Sequence, residues 1–276
     1  MFLDLNRIKL ANVVWTNFIR ELLNLSEINI GELSPLWSVS YNVVCVKCKE
    51  SPTHLTLIGK NKKPFKIEIN FIQWLVGFSD AEGNFHISLK NFKDNNYKKM
   101  QLTFQIGLHI NHLNTLKLIQ SKLHCGSISI NKNSNKCNFF VNDIFSIIHI
   151  ILPIFDFFKL NSSKIHLYNI FKKAAELMVN KQHLTTDGKF ELIQLRAEIR
   201  NLVLNKKSGY INKITLPWLI GFIEGDATFS TSILAVRCKF ENTSVEAYLF
   251  SSILDFLGKS NSVKLQFPKL SWEKEV

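Results

Sequence analysis

No apolar run in this chain of 276 residues is long enough to cross a membrane. The nearest, Ile144–Phe158, is cut by Pro153 and Asp156 and reads as a core helix, so no membrane partner is expected. Cysteine is sparse. Cys45, Cys48, Cys125, Cys137 and Cys238 are odd in number and widely spaced, which argues against a disulfide framework. Cys45-x-x-Cys48, with His54 nearby, lacks the further ligands of a zinc site, so the thiols are read as reduced and unligated. Acids are few against bases, 22 to 34, and the resulting net charge of +12 points to a polyanionic partner. Arginine is scarce too, while Lys, Asn, Ile and Phe abound, a composition that fits AT-rich coding of the organellar kind. No clear secretory signal opens the chain, and Asp4 and Glu21 speak against a transit peptide in Met1–Leu25. A protein made inside a mitochondrion needs neither, and mitochondrial location is the expectation.

What the chain does have is a nine-residue pattern that occurs twice. Leu75-Val76-Gly77-Phe78-Ser79-Asp80-Ala81-Glu82-Gly83 recurs as Leu219-Ile220-Gly221-Phe222-Ile223-Glu224-Gly225-Asp226-Ala227. Each copy follows a Trp (Trp74, Trp218) and precedes a Phe (Phe85, Phe229), at one offset: 218 − 74 = 144 and 229 − 85 = 144. A repeat at that distance predicts two related units side by side. Apolar residues in both copies recur at helical spacing. Gly77 and Gly221 each cost a helix about 1 kcal/mol against Ala, which makes sense if two helix backbones touch there. Gly83 is the expected helix stop. Asp80, Glu82, Glu224 and Asp226 then lie at helix C-termini, where the macrodipole disfavours negative charge. A cation between the two ends would relieve that repulsion, and carboxylate and carbonyl oxygens suit Mg²⁺.

At these residues the chain resembles the LAGLIDADG homing endonuclease family in its single-chain, two-motif form. The resemblance implies an α+β fold of two pseudo-symmetric αββαββα halves forming a saddle. It implies that the eighth motif residues, Glu82 and Asp226, bind the divalent metal and catalyse phosphodiester cleavage. The seventh residues, Ala81 and Gly225, would supply carbonyls to two Mg²⁺ ions. Ala227 departs from the usual final Gly, a mild change unless a positive φ is needed.

Downstream of Glu82 the sequence alternates. Phe85, Ile87 and Leu89 point one way; Asn84, His86, Ser88 and Lys90 point the other. After a basic turn with Lys93, Lys98 and Lys99, a second run places Leu102, Phe104, Ile106, Leu108 and Ile110 inward and Gln101, Thr103 and Gln105 outward. This is a β-hairpin with one wet face. Its polar side chains can read base edges in a major groove, which admits a two-stranded ribbon. Thr228 and Ser230 are the second half's candidates. A helix Asn114–Leu123 is predicted next, then a hairpin Ser127–Asn131 and Cys137–Val141 with Ile128 and Ile130 inward, and helices near Asp143–Phe155 and Lys164–Val179. The family often places a supporting lysine at the start of that last helix. Lys159 and Lys164 are the candidates, and Asn161 is a third occupant of that position.

The expected organisation is an N-terminal extension (1–70) without assignable chemistry, a first half (71–180), a linker (181–213) with a turn at Asp187-Gly188 before a helix Glu191–Leu204, and a shortened second half (214–276). In that half the basic turn is missing, a helix Val245–Leu257 follows, and one strand, Ser262–Phe267, fits. Two functions follow. The first is Mg-dependent, site-specific cleavage of double-stranded DNA. The alternative is a cleavage-inactive protein binding structured RNA, as an intron maturase or a part of an organellar ribonucleoprotein whose proteins cover the shortened half.

Overall fold

The described residues, 53–90, 99–232, 235–240 and 244–259 of a computed structural model, begin with a hairpin that lies in the stretch read as an N-terminal extension without assignable chemistry. Its strands, β1 (His54–Ile58) and β2 (Pro64–Glu68), pair with Leu55 opposite Ile67 and Leu57 opposite Phe65. Leu57 and Ile67 are buried in the same core as the first motif. Lys60–Asp143 at 3.0 Å and Glu68–Lys122 at 3.4 Å join the hairpin to the first half, though such exposed pairs stabilise little.

The first half runs α1 (Ile69–Glu82), β3 (Gly83–Lys90), β4 (Lys99–His109), α2 (Leu113–Leu123), β5 (Ser127–Asn131) and β6 (Lys136–Val141). The four strands form one antiparallel sheet in the order β3-β4-β6-β5. A helical run follows, with a π-helical segment Ile147–Ile151 leading into α3 (Leu152–Phe157), and then α4 (Lys164–Val179). The inward residues of β3 and β4 meet these helices. Phe85, Phe104, Phe155, Tyr168 and Phe171 make an aromatic cluster with Phe85 in contact with each of the others. Offset and edge-to-face rings of this kind stabilise beyond the area they bury.

The linker carries α5 (Thr186–Leu204). The second half repeats the order with α6 (Leu216–Asp226), β7 (Ala227–Ser232), β8 (Ala235–Phe240) and α7 (Ala247–Lys259). Two residues, 233 and 234, join β7 to β8, where 91–98 join β3 to β4. β8 has 6 residues against 11 in β4. The architecture is α+β, with two pseudo-symmetric units meeting at α1 and α6.

Three local expectations need correction. Ile130 is 48% exposed, because β5 is the sheet's edge strand and its far end projects beyond the covering helices. Ile110 leaves the strand and opens a 3₁₀ turn after β4. Asp187 and Gly188 do not form a separate turn but lie in the first turn of α5, where Thr185 accepts the Gly188 N–H at 3.1 Å. Gly83 is the helix stop expected, and it ends α1 in extended backbone, φ −73°. It must still be glycine, since a Cβ there would lie 2.7 Å from the Ser79 carbonyl oxygen. The strand expected at Ser262–Phe267 and the Cys45–Cys48 pair lie outside the described residues.

Candidate active site

The two motif helices touch along their glycines. A Cβ on Gly77 would stand 1.9 Å from the Trp218 carbonyl oxygen, and one on Gly221 would stand 2.1 Å from that of Trp74. No side chain fits such a gap, so each glycine admits the partner's backbone. Near the C-terminal ends the approach persists: a Cβ on Gly225 would lie 2.4 Å from the Ala81 Cβ and 3.2 Å from the Glu82 Cγ. Both helices are apolar on nearly every side and buried on nearly every side, as such helices must be.

The same contact sorts the four acids into two classes. Trp74 Nε1 donates to Glu224 at 3.0 Å, and Trp218 Nε1 donates to Asp80 at 2.8 Å. These are one interaction made twice, since donors and acceptors obey the repeat: 218 − 74 = 144 and 224 − 80 = 144. Asp80 also accepts the backbone N–H of Asn161 at 2.9 Å and of Ser162 at 2.8 Å. It is buried, and that burial pushes its pKa up against the pull of its hydrogen bonds. Burial likewise lifts Glu224 to about 7, opposed by the Trp74 indole. The expectation that all four acids share a cation at the helix ends is thus corrected: Asp80 and Glu224 clasp the two halves together.

Glu82 and Asp226 remain at the tips of α1 and α6. Glu82 is half-buried, and its pKa is raised first by desolvation and then by Asp226, while Lys164 lowers it. Lys164 is the first residue of α4. Its ammonium donates to the Ala81 carbonyl at 2.5 Å and approaches the Ser79 carbonyl at 3.4 Å. Desolvation depresses the Lys164 pKa, and Asp80, Glu82, Asp226 and Glu246 counter that.

Lys164 is aimed by the loop before it. Asp80 holds Asn161 and Ser162, and Glu246 accepts the Ser163 N–H at 3.0 Å. Two carboxylates thus satisfy donors at the α4 N-terminus, where the helix dipole favours them. Tyr248 donates to the Asn161 carbonyl at 2.7 Å. The Asn161 side chain accepts the Asn212 N–H at 2.7 Å and donates to the Lys213 carbonyl at 2.9 Å. It is fully buried and locks the linker's end to α4, so Asn161 holds no catalytic position. Lys159 is exposed, whereas the Lys164 ammonium lies at the junction, bonded to the Ala81 carbonyl and acting electrostatically on Glu82 and Asp226.

The donor set at the tips, two half-buried carboxylates with backbone carbonyls, fits Mg²⁺, which takes one or two carboxylates and completes its shell with phosphate and water oxygens. Among the described residues no group of three or more His, Cys, Asp or Glu side chains gathers at one point, so a cation held there would need oxygens from substrate and solvent to complete its shell. Ala227 has φ −97°, and the departure from glycine there costs no backbone strain. The Ala81 carbonyl is the member of the expected set that Lys164 already engages.

On the sheet, Asn84 pairs with Gln105, His86 with Thr103 and Ser88 with Gln101, so these polar residues of β3 and β4 share one face, and Lys90 pairs with Lys99 in register. Asn84 and His86 are exposed. The His86 pKa is lowered by partial burial and then by Arg196 and Arg200 of α5. The face continues onto β6, where Gln105 Nε2 donates to Asn138 at 3.0 Å. Asn138, Lys136 and Ser129 were not among the residues expected there, although alternation along β5 and β6 places them opposite the buried Cys137 and Phe139. Thr228 and Ser230 lie on β7 opposite Lys239 and Arg237. Lys93 and Lys98 fall outside the described residues.

Comparison with known proteins agrees. Residues 75–175 match the family model described as LAGLIDADG endonuclease. The probable intron-encoded endonuclease 2 of Neurospora crassa is 37% identical over 123 residues, which are 45% of this chain and 26% of that protein. The probable intron-encoded endonuclease Cox1-I1b of Schizosaccharomyces pombe is 31% identical over 209 residues, 74% of this chain and 54% of that protein. This chain therefore spans about a quarter to a half of the length of these curated relatives. The LAGLIDADG meganuclease I-CpaMI, solved bound to uncleaved DNA, superposes with a TM-score of 0.55 at 26% identity, covering 67% of this chain and 74% of that one. Joined through their glycines and ending in paired acids, the two motifs carry the family's signature, and the chain belongs to the LAGLIDADG homing endonuclease family.

Proposed function

We propose that this chain binds duplex DNA across the polar face of its four-stranded sheet and cleaves both strands in the presence of Mg²⁺. The observation that carries the proposal is the pair Glu82 and Asp226, held at the tips of two helices whose backbones touch. That neighbouring acids at a buried junction are kept for metal chemistry is supported by the fate of the other two, which the indoles already satisfy. The family and the DNA-bound state of its solved relative support the substrate.

In this reading Glu82 and Asp226 hold the cations, and their placement on separate halves gives each DNA strand its own acid. Mg²⁺ bound there would acidify water and offset charge on the leaving oxygen. Lys164 keeps the junction from being wholly anionic and presents its ammonium where a scissile phosphate would pass. Asp80, Glu246 and Tyr248 fix the loop that aims it. On the sheet, Asn84, His86, Ser88, Gln101, Thr103 and Gln105 meet the groove, where amides, hydroxyls and imidazole discriminate base edges. The net charge of +12 supplies the sequence-independent attraction to phosphate. No feature among the described residues favours RNA over duplex DNA. The intron-encoded relatives and the lysine- and asparagine-rich composition support an organelle-encoded, mitochondrial protein.

The test is selection. The purified chain is incubated with a randomised duplex library and Mg²⁺, and new ends are sequenced. The proposal expects ends clustered at one motif and none when EDTA replaces Mg²⁺. Ends scattered at random, or equal in EDTA, refute it.

A further inference from the structure

The linker does more than connect the halves, because it lies against the catalytic junction. A cavity of about 230 Å³ beside the acids is walled by Ala81, Lys164 and Asp226 on one side and by Leu202, Lys206 and Lys207 of the linker on the other. Lys206 and Lys207 are exposed and stand on backbone fixed from behind. The Ser208 carbonyl meets His166 Nε2 at 2.9 Å, and the Ser208 hydroxyl donates to the Val245 carbonyl at 3.2 Å. Gly209 is wedged so tightly that a Cβ would lie 2.3 Å from the Tyr248 hydroxyl and 2.6 Å from the Ser162 carbonyl oxygen. Asn212 and Lys213 are then locked by Asn161. The two lysines therefore project from a preorganised base.

Further back along the linker, α5 buries Leu192, Leu195 and Ile199. Arg196 and Arg200 stand four residues apart on that helix, which makes them neighbours on one face. That helix packs against β3, and both arginines act electrostatically on His86, an exposed residue of that strand. From the sheet to the acids, the linker thus presents Arg196, Arg200, Lys206 and Lys207, with Glu198 the one acid in the stretch 196–213. The carboxylates lining the cavity, Asp80, Asp226 and Glu246, already face the Lys164 ammonium. Asp80 is engaged by Trp218 and two backbone N–H groups, and Glu246 by the Ser163 N–H.

We propose that the linker is a phosphate-binding rail: Arg196 and Arg200 beside the sheet, and Lys206 and Lys207 beside the acids, grip the backbone of duplex DNA flanking the cleavage point. This rests on the duplex-binding function proposed above. The rail meets phosphate, so it sets affinity and register without reading sequence.

The experiment measures binding of a labelled random-sequence duplex in EDTA by fluorescence anisotropy across a series of salt concentrations. Three proteins are compared with the parent: Lys206→Gln with Lys207→Gln, Arg196→Gln with Arg200→Gln, and a charge-matched control, Lys62→Gln with Lys63→Gln in the β1–β2 turn. The slope of log K against log salt is expected to shrink by about 0.9 for each phosphate that is no longer neutralised. That is a change of about 2 in each linker variant and hardly any in the control. Thermal unfolding checks that each variant is folded. A linker variant with the parent's slope, or a control whose slope falls as far as those of the linker variants, overturns the rail. Salt-independent binding by the parent itself would instead remove the duplex reading beneath it.

Discussion

Replacing Glu224 with glutamine isolates the energetics of the clasp between the halves. Glu224 accepts the Trp74 indole N–H at 3.0 Å, and burial raises its pKa from the ordinary 4.5 to about 7. In the unfolded chain the carboxyl ionises first. Between pH 4.5 and about 7 the folded state therefore binds more protons, and stability falls as pH rises. At about 1.36 kcal/mol per pH unit, the gap from 4.5 to about 7 is worth about 3 kcal/mol. That is an upper figure, because the side chain keeps partial exposure. Glutamine retains an oxygen for the indole and cannot ionise. Urea unfolding of Glu224→Gln should match the parent at pH 4 and exceed it at pH 8 by up to about 3 kcal/mol. Asp80 and Glu82 titrate in the same direction in both proteins, so the difference between proteins reports Glu224. An equal gap at both pH values would refute the reasoning, because the substitution would then act through packing and not through a proton.

Three further outcomes follow from the junction. Gly77→Ala must push α1 from α6, since its Cβ would stand 1.9 Å from the Trp218 carbonyl oxygen; after the gain of about 1 kcal/mol in helix propensity, overpacking should still leave the protein about 2 kcal/mol less stable to urea, and an unchanged midpoint would contradict the close approach. Asn161→Ala leaves the Asn212 N–H and Lys213 carbonyl without their buried partner and should cost about 2 kcal/mol; a variant as stable as the parent would deny the lock. Lys164→Met removes the cation that lowers the Glu82 pKa, so the acidic limb of any cleavage-rate profile should move to higher pH, where Glu82 is again ionised. A limb that stays in place or moves to lower pH would count against that pairing.

Much of the fold was legible because it rests on local pattern. The helical spacing around each motif, the alternation along β3 and β4, and the start of α4 at Lys164 all appear where periodicity puts them. The glycine contact was legible as well, because an interior helix glycine is costly unless another backbone needs the space. What stayed hidden depends on partners far apart in sequence. Trp74 and Trp218 stood out as repeat markers, but nothing local says that each indole reaches an acid 150 or 138 residues away. The constant offset of 144 was the available signal, since it relates the two donors and the two acceptors alike. The rotation of each helix decides whether a terminal acid faces the partner's indole or the junction, and one sequence does not reveal that rotation. Asn161 is a similar case: its neighbours in the linker are remote in the chain, so its side chain read as a substitute for lysine. The β1–β2 hairpin could have been found, because Leu55 and Leu57 alternate on one side of the turn Gly59–Lys63 and Phe65 and Ile67 on the other.

The central claim is that Glu82 and Asp226 form one junction that cuts two strands. Its most direct test is strand-resolved cleavage, in Mg²⁺, of the duplex recovered by selection, with Glu82→Gln and Asp226→Asn compared separately against the parent. Cleavage of at least one strand should slow by about a hundredfold or more in each variant, because a charge that stabilises the transition state is worth several kcal/mol in such a site. Parent-like rates on both strands in either variant would contradict it.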